Sequence, residues 1–176
     1  MGEDKAFLKL GGKPLIAHVI GALEDITDSI ILVSGDERLD VYGKKRQPDL
    51  IADVGPLAGL YTGLSASDTE YNLVLGCDTP LVNKTLFEVL LEQASRDYEV
   101  VQLAGEGQTM PLIALYRKSC MSHIRELIRR GERRLQESVS GMKTKTIAVD
   151  AAMERYMLNI NTREDLDHIR RLFNDK

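Results

Sequence analysis

Cysteine is almost absent from the 176-residue chain, whose two thiols are Cys77 and Cys120. They lie far apart with no CxxC spacing, so neither a zinc site nor a disulfide framework is indicated, and a reduced cytoplasm is the default compartment. Histidine is equally sparse: His18, His123 and His168 fall on predicted helices, none at ligand spacing to another. No apolar run reaches the ~18 residues a membrane span requires. The N-terminus is charged from Glu3 to Lys5 and has no signal-peptide core. Positive charge is not in excess either: 23 Lys and Arg face 27 Asp and Glu, a net charge of −4. That balance gives no global field for nucleic acid or anionic lipid. An anionic ligand must then be held by local cations or backbone amides. There is no Ser-His-Asp set, no internal repeat, no low-complexity tract and no obvious linker.

The composition that remains is ordinary for a globular protein, with 43% hydrophobic and 28% charged residues. The length suits a single domain over residues 1–176 with a proper core. Apolar runs of strand length alternate with helical spacing. Pro14 fits the first turn of a helix carrying Leu15, Ile16, Val19, Ile20 and Leu23. Ser29 to Val33 reads as a strand, the basic segment Asp40 to Pro48 as a solvated loop, and Asp49 to Ala52 as a short strand. Asn83 can cap a helix with Leu86, Val89, Leu90 and Ala94 on one face. Tyr98 to Ala104 and Leu112 to Tyr116 read as strands joined by a polar turn, with room for an antiparallel element. A helix from Lys118 stops at Gly131, a short one begins at Glu132, and Lys145 to Val149 is a strand. Thr162 and Asp165 make a capping pair for the last helix. The alternation predicts a doubly wound, mainly parallel sheet in a three-layer α/β domain.

Tyr71 to Val82 (YNLVLGCDTPLV) carries the most information. Tyr71 to Gly76 is an apolar run too short for a typical helix, so it reads as a strand buried on both faces. Pro80 cannot continue a ladder. Asp78 is thereby placed at the carboxyl end of a core strand, where open α/β sheets bind ligands. It can hold a Mg²⁺ through one hard oxygen while substrate phosphates supply others, or it can simply shape the turn.

Three further groups are candidates. In Gly55-Pro56-Leu57-Ala58-Gly59, glycines at a helix start let backbone N–H groups approach an anion, although most Gly-Pro pairs are only turns. Asn159 and Asn161, two apart, project to one side of an extended segment and can read a base or ribose, or be plain loop residues. Arg129, Arg130, Arg133 and Arg134 form the densest cationic cluster, either a solvated face or a dock for a second anionic substrate.

In order along the chain, MGEDKAFLKLGGKPLI, DVGPLAGL, LVLGCDTPL, GERRL and LNINTREDL together resemble the molybdenum cofactor guanylyltransferases. These belong to the nucleotide-diphospho-sugar transferase type of fold, and the likeness covers nearly the whole chain. The resemblance implies a Mg²⁺-dependent transfer of GMP from GTP to the terminal phosphate of molybdopterin, releasing pyrophosphate. It implies that Lys5 neutralises the nucleotide phosphates and that Asp78 ligates Mg²⁺. Asp53, Gly55, Pro56, Leu57 and Gly59 would line the nucleotide pocket. Asn159, Asn161, Arg133 and Arg134 would face the pterin. Transient contact with molybdenum-insertion proteins and molybdoenzymes is also implied, and neither nucleic acid nor membrane.

Two departures stand out. The family opens with a central strand and a glycine-rich LAGG-x-S-x-R loop, for which this chain has no counterpart. Roughly 15–20 further upstream residues are therefore expected in the natural polypeptide, the length of a strand plus a loop. The family's Asn-rich turn after the second strand reads Ser34-Gly35-Asp36-Glu37 here, so Asp36 is the candidate acceptor for guanine N–H groups. The alternatives are a relative using CTP or a sugar phosphate, and a non-catalytic nucleotide- or pterin-binding delivery protein.

Overall fold

The computed structural model describes residues 4–52 and 54–174. A two-rung hairpin, β1 (Lys9–Leu10) and β2 (Lys13–Pro14), leads into helix α1 (Leu15–Glu24). Pro14, expected inside the helix, instead closes β2 and stands at the N-cap. Strands β3 (Ile31–Val33) and β4 (Lys45–Gln47) pair in parallel. Next come α2 (Pro56–Ala66), β5 (Tyr71–Leu75) and α3 (Lys84–Glu92). The chain continues through β6 (Val100–Gly105), β7 (Gln108–Arg117), α4 (Cys120–Arg129), α5 (Leu135–Ser140) and β8 (Thr144–Ala148). It finishes with the one-turn α6 (Ala151–Glu154) and α7 (Arg163–Asn174).

The main sheet has the order β5-β7-β6-β8. β7 is antiparallel to both β5 and β6, while β6 and β8 are parallel. It follows that β5, β6 and β8 all run the same way and that β7 alone is reversed. The sheet is thus mixed, with its carboxyl edge formed by the ends of β5, β6 and β8. Alternate residues of β7 serve the two faces. Ala114 and Tyr116 pack with Leu57, Leu60 and Leu64 of α2, Cys120 and Ile124 of α4, and Leu135 and Val139 of α5. Ile113 and Leu115 pack with Val19 of α1 and with Leu86, Phe87 and Leu90 of α3. Helices therefore cover both faces, the three-layer arrangement that the alternating pattern predicts. Each fully buried Leu, Ile or Phe contributes roughly 1.5–3 kcal/mol.

Local signals in the sequence mark several boundaries. Asn83 accepts the Leu86 N–H at 3.1 Å and caps α3, an interaction worth about 1 kcal/mol. Helix α4 ends in a Schellman motif at Gly131 (φ +84°): the Gly131 N–H donates to Ile128 and the Glu132 N–H to Leu127. In three further places the structure departs from expectation. The strand is Lys45–Gln47 rather than Asp49–Ala52, inside the segment read as a loop. An edge strand needs only backbone pairing, and its charged side chains find polar partners, Lys45 donating to the Ala66 carbonyl and Arg46 to Asp40. The helix after Gly131 begins at Leu135, because the Glu132 carboxylate accepts the Arg133 and Arg134 N–H groups and holds them in a turn. Finally, none of the five β5 residues is fully buried. One β5 edge bonds to β7, and among the described residues no strand pairs with the other.

Candidate functional site

At the carboxyl end of β5 the last rung is the Gly76 N–H to the Leu112 carbonyl, 3.1 Å. The chain then turns tightly. The Thr79 hydroxyl donates to the Gly76 carbonyl at 2.9 Å, and the Val82 N–H donates to the Thr79 carbonyl at 3.3 Å. Thr79 is buried beneath this turn. Asp78, between them, folds its carboxylate back over Gly76: a Cβ built on Gly76 would lie 2.4 Å from Asp78 Oδ1. The absence of a side chain at residue 76 therefore leaves the room in which the carboxylate stands.

Lys5 approaches from the other end of the sequence. It starts a 3₁₀ turn, Lys5–Phe7, capped by Asp4, whose Oδ1 accepts the Ala6 N–H at 3.1 Å. Its Nζ lies 3.9 Å from Asp78 Oδ2 and donates to Asn161 Oδ1 at 2.6 Å. Both charged side chains are partly open to solvent, so this ion pair adds at most ~1 kcal/mol to stability. Its importance lies in what it positions. Asn161 belongs to an extended segment in which Met157 and Ile160 are buried while Asn159 and Asn161 face outward, as two polar residues two apart should. The Ile160 N–H donates to the Asp78 carbonyl at 2.8 Å, which ties the segment to the end of β5. Asp165 at the start of α7 accepts the Asn161 and Thr162 N–H groups at 2.9 and 2.8 Å, and its own N–H donates to the Thr162 hydroxyl at 3.1 Å. The capping box is complete with Asp in place of Glu or Gln.

The remaining candidates occupy separate positions. Gly55 caps α2 with φ +67° and ψ −147°, a conformation that only glycine adopts readily, and Pro56 follows in the first turn. Leu57 is buried and anchors the loop, and Gly59 lies within α2. Asp53 lies outside the described residues. Arg133 and Arg134 sit on the α4–α5 connection, where Arg134 pairs with Glu132 and Glu137. This connection leads into α5, whose Gln136 donates to Thr109 at the amino end of β7, so it lies toward the carboxyl edge of the sheet. The structure thus gathers Lys5, Asp78 and Asn161 into one cluster and leaves Arg133 and Arg134 on a separate connection, with Arg134 beside Glu132 and Glu137.

Two neighbours change the local electrostatics. Asp36 is held below the usual carboxylate range, chiefly by its side-chain bonds to Arg38 and then by the Arg38 N–H. Arg38 Nε reaches both Asp36 oxygens, and Nη2 adds a bond to Oδ2, while its guanidinium lies 3.9 Å over the Phe7 ring. The acceptor expected for a base is therefore already engaged by a cation. The Cys77 thiol is pushed up to about 11, first by burial and then by the charges of Asp78 and Asp4.

The sequence offers no local signal for Lys5 meeting Asn161, which stands 156 positions away. Nor does it single out Gly76, although a glycine two residues before a candidate ligand is a usable cue. Comparison with known proteins bears on the whole arrangement. The family model described as MobA-like NTP transferase domain matches residues 1–145. A probable molybdenum cofactor guanylyltransferase of Flavobacterium johnsoniae is 31% identical over 169 residues, covering 96% of this chain and 89% of that protein. A protein of Carboxydothermus hydrogenoformans with the same description is 29% identical, covering 100% and 91%. Among solved structures, molybdopterin-guanine dinucleotide biosynthesis protein A of Archaeoglobus fulgidus superposes with a TM-score of 0.84 at 22% identity, covering 99% and 93%. A 2-C-methyl-D-erythritol 4-phosphate cytidylyltransferase of Thermus thermophilus gives 0.76 at 19% identity, covering 97% and 94%.

Proposed function

Because the chain belongs to the family of MobA-like NTP transferases, we propose that it transfers GMP from GTP to molybdopterin, forming the guanine dinucleotide cofactor and pyrophosphate. In this reaction an oxygen of the terminal molybdopterin phosphate attacks the α-phosphorus of GTP. The bond from that phosphorus to the bridging oxygen of the β-phosphate breaks, and the electron pair leaves with pyrophosphate. Such chemistry needs positioning and charge neutralisation more than a covalent catalyst.

The observation that carries the proposal is the convergence of Lys5, Asp78 and Asn161 at the carboxyl end of β5. Lys5 supplies a cation to phosphate oxygens, and Asn161 holds its ammonium in place. The Gly55 turn lets the backbone at the start of α2 approach the nucleotide phosphates, helped by the helix dipole. Among the described residues no cluster of three or more His, Cys, Asp or Glu side chains assembles. Asp78 brings a carboxylate, and one hard protein oxygen fits Mg²⁺ arriving with substrate phosphates. Bound there, Mg²⁺ supplies further neutralisation of the developing phosphate charge. Asn159 and the Arg133–Arg134 connection are assigned to the pterin side.

Calorimetric titration with Mg-GTP, with Mg-CTP alongside, tests the reading. GTP-selective binding is expected, and Asp78→Asn is expected to abolish guanylyl transfer while leaving circular dichroism and the melting temperature unchanged. Selectivity for CTP would favour a cytidylyltransferase, a choice sharpened by the engagement of Asp36 with Arg38. Failure to bind either nucleotide would remove the proposal.

A further inference from the structure

Three contacts and one step of the backbone close into a ring at the end of β5. The Asp78 carboxylate faces Lys5 Nζ at 3.9 Å, Lys5 donates to Asn161 Oδ1 at 2.6 Å, and the Asn161 backbone continues to Ile160, whose N–H returns to the Asp78 carbonyl at 2.8 Å. Every member but one is fixed by its own element. Asp78 is set by the turn after β5, Ile160 is fully buried, and Lys5 is set by the Asp4-capped turn. The exception is Asn161, an exposed residue just past Ile160 whose side chain has to point back at Lys5. A single acid fixes its backbone. Asp165 Oδ2 accepts the N–H of Asn161 and that of Thr162, so one oxygen clamps two consecutive peptide groups.

We infer that Asp165 is a positioning residue of the active site, holding Asn161 so that its amide oxygen orients the Lys5 ammonium beside Asp78. The inference rests on the guanylyltransferase reading of Lys5 and Asp78. Asp165 touches no reacting atom and acts through Asn161 alone. The rest of the Asp165 environment agrees. Its carboxyl is held below the ordinary range, first by the Asn161 N–H and then by the Thr162 N–H, with Lys5 adding a smaller favourable charge. One oxygen has the two lone pairs that both amides need, and the negative charge strengthens both bonds. A plain helix cap would need only Thr162 on the Asp165 N–H and one returning bond. The second accepted N–H, from Asn161, lies outside the helix and serves the loop.

The two roles of Asp165 can be separated by substituting each half of the capping pair. Thr162→Ala removes the hydroxyl that caps the Asp165 N–H but leaves both bonds accepted by Asp165. It is expected to lower the melting temperature with kcat within about twofold of the parent, as for loss of a cap alone. Asp165→Ala removes the clamp and is expected to lower kcat by about tenfold or more, the range of supporting-residue losses, with kcat falling further than KM rises. Asp165→Asn keeps an acceptor oxygen and is expected to recover most of that rate. A second readout needs no turnover. The Asn161 side-chain amide resonance should shift on Lys5→Ala in the parent and fail to do so in the Asp165→Ala background. Parental kcat in Asp165→Ala, equal rate losses in Asp165→Ala and Thr162→Ala, or an undiminished resonance response would each overturn the inference. If the parent turns over no GTP, the guanylyltransferase reading fails, and the resonance experiment still decides whether Asp165 sets the Lys5–Asn161 contact.

Discussion

An added methyl at Gly76 would stand 2.4 Å from Asp78 Oδ1, a distance that side-chain carbons do not tolerate. The obstacle is the end of a short rotatable side chain, and the backbone at Gly76 is not in the left-handed region. Gly76→Ala is therefore expected to turn the Asp78 carboxylate aside rather than unfold the protein. Unfolding free energy should stay within about 1 kcal/mol of the parent, while guanylyl transfer falls about tenfold or more, since small misplacements of a positioning group are costly. Chemical denaturation and steady-state rates measure the two effects separately. Beside it, Cys77 is kept protonated by burial and by the neighbouring acids, at about 11. Thiolate is the reactive form, so alkylation of Cys77 at pH 8 is expected to run about a hundredfold slower than that of an unperturbed thiol. Mass spectrometry after timed iodoacetamide treatment gives the rate. Labelling at the ordinary rate would mean that the turn opens readily.

The last helix shows how a single element carries both stability and site geometry. The Asp165 carboxyl is held below its ordinary value, chiefly by the Asn161 N–H, with the Thr162 N–H and hydroxyl adding to it. A carboxylate lowered in the native state binds fewer protons there than in the unfolded chain. Its contribution to stability is thus complete above the unfolded value of about 3.9, and it disappears as pH falls through the lower native value. Urea denaturation from pH 6 downward should show the parent more stable than Asp165→Asn, with the gap closing below about pH 4. A constant gap across that range would show that the charge plays no part. The α7 cap was legible because Thr162 and Asp165 are three apart at the head of an apolar stripe of Leu166 and Ile169. The bond from Asp165 to Asn161 was not, because nothing in the pattern assigns a second amide to the same oxygen.

At the scale of the whole molecule, the described strands form separate hydrogen-bonded sets. β6 and β7 pair at six positions, on both sides of a register shift between Gln102 and Leu103, and lie between two apolar layers. β3 and β4 share three paired positions and a small cluster of Ile20, Ile30, Leu32 and Leu39, with no ladder to the four-stranded sheet among the described residues. Local opening costs less where few buried contacts are lost. Native-state hydrogen exchange is therefore expected to show β3–β4 amides opening at a lower free energy than those of β6–β7, which should exchange only with global unfolding. Equal protection would show that the two sets unfold as one. Among the described residues no helix is long and apolar enough to cross a membrane.

Sequence alone determined whatever depends on neighbours in the chain. It marked the Asn83 and Thr162 caps, the stop at Gly131, the apolar strand before Asp78 and the general alternation of helices and strands, because these follow from side-chain period and from local donors and acceptors. Local pattern also marked Asp78 and Asn161 as candidates, while Lys5 was marked only by the family resemblance. Tertiary structure decided what depends on partners far away in the chain. β7 inserts between β5 and β6, and β4 takes the place of the strand expected a few residues later, because backbone pairing carries almost no side-chain signature at an edge. The cluster of Lys5, Asp78 and Asn161 forms only when the turn after β5, the Asp4-capped turn and the segment before α7 are brought to the same end of the sheet. Packing of the helices and strands beneath them makes that approach, and no stretch of residues contains it.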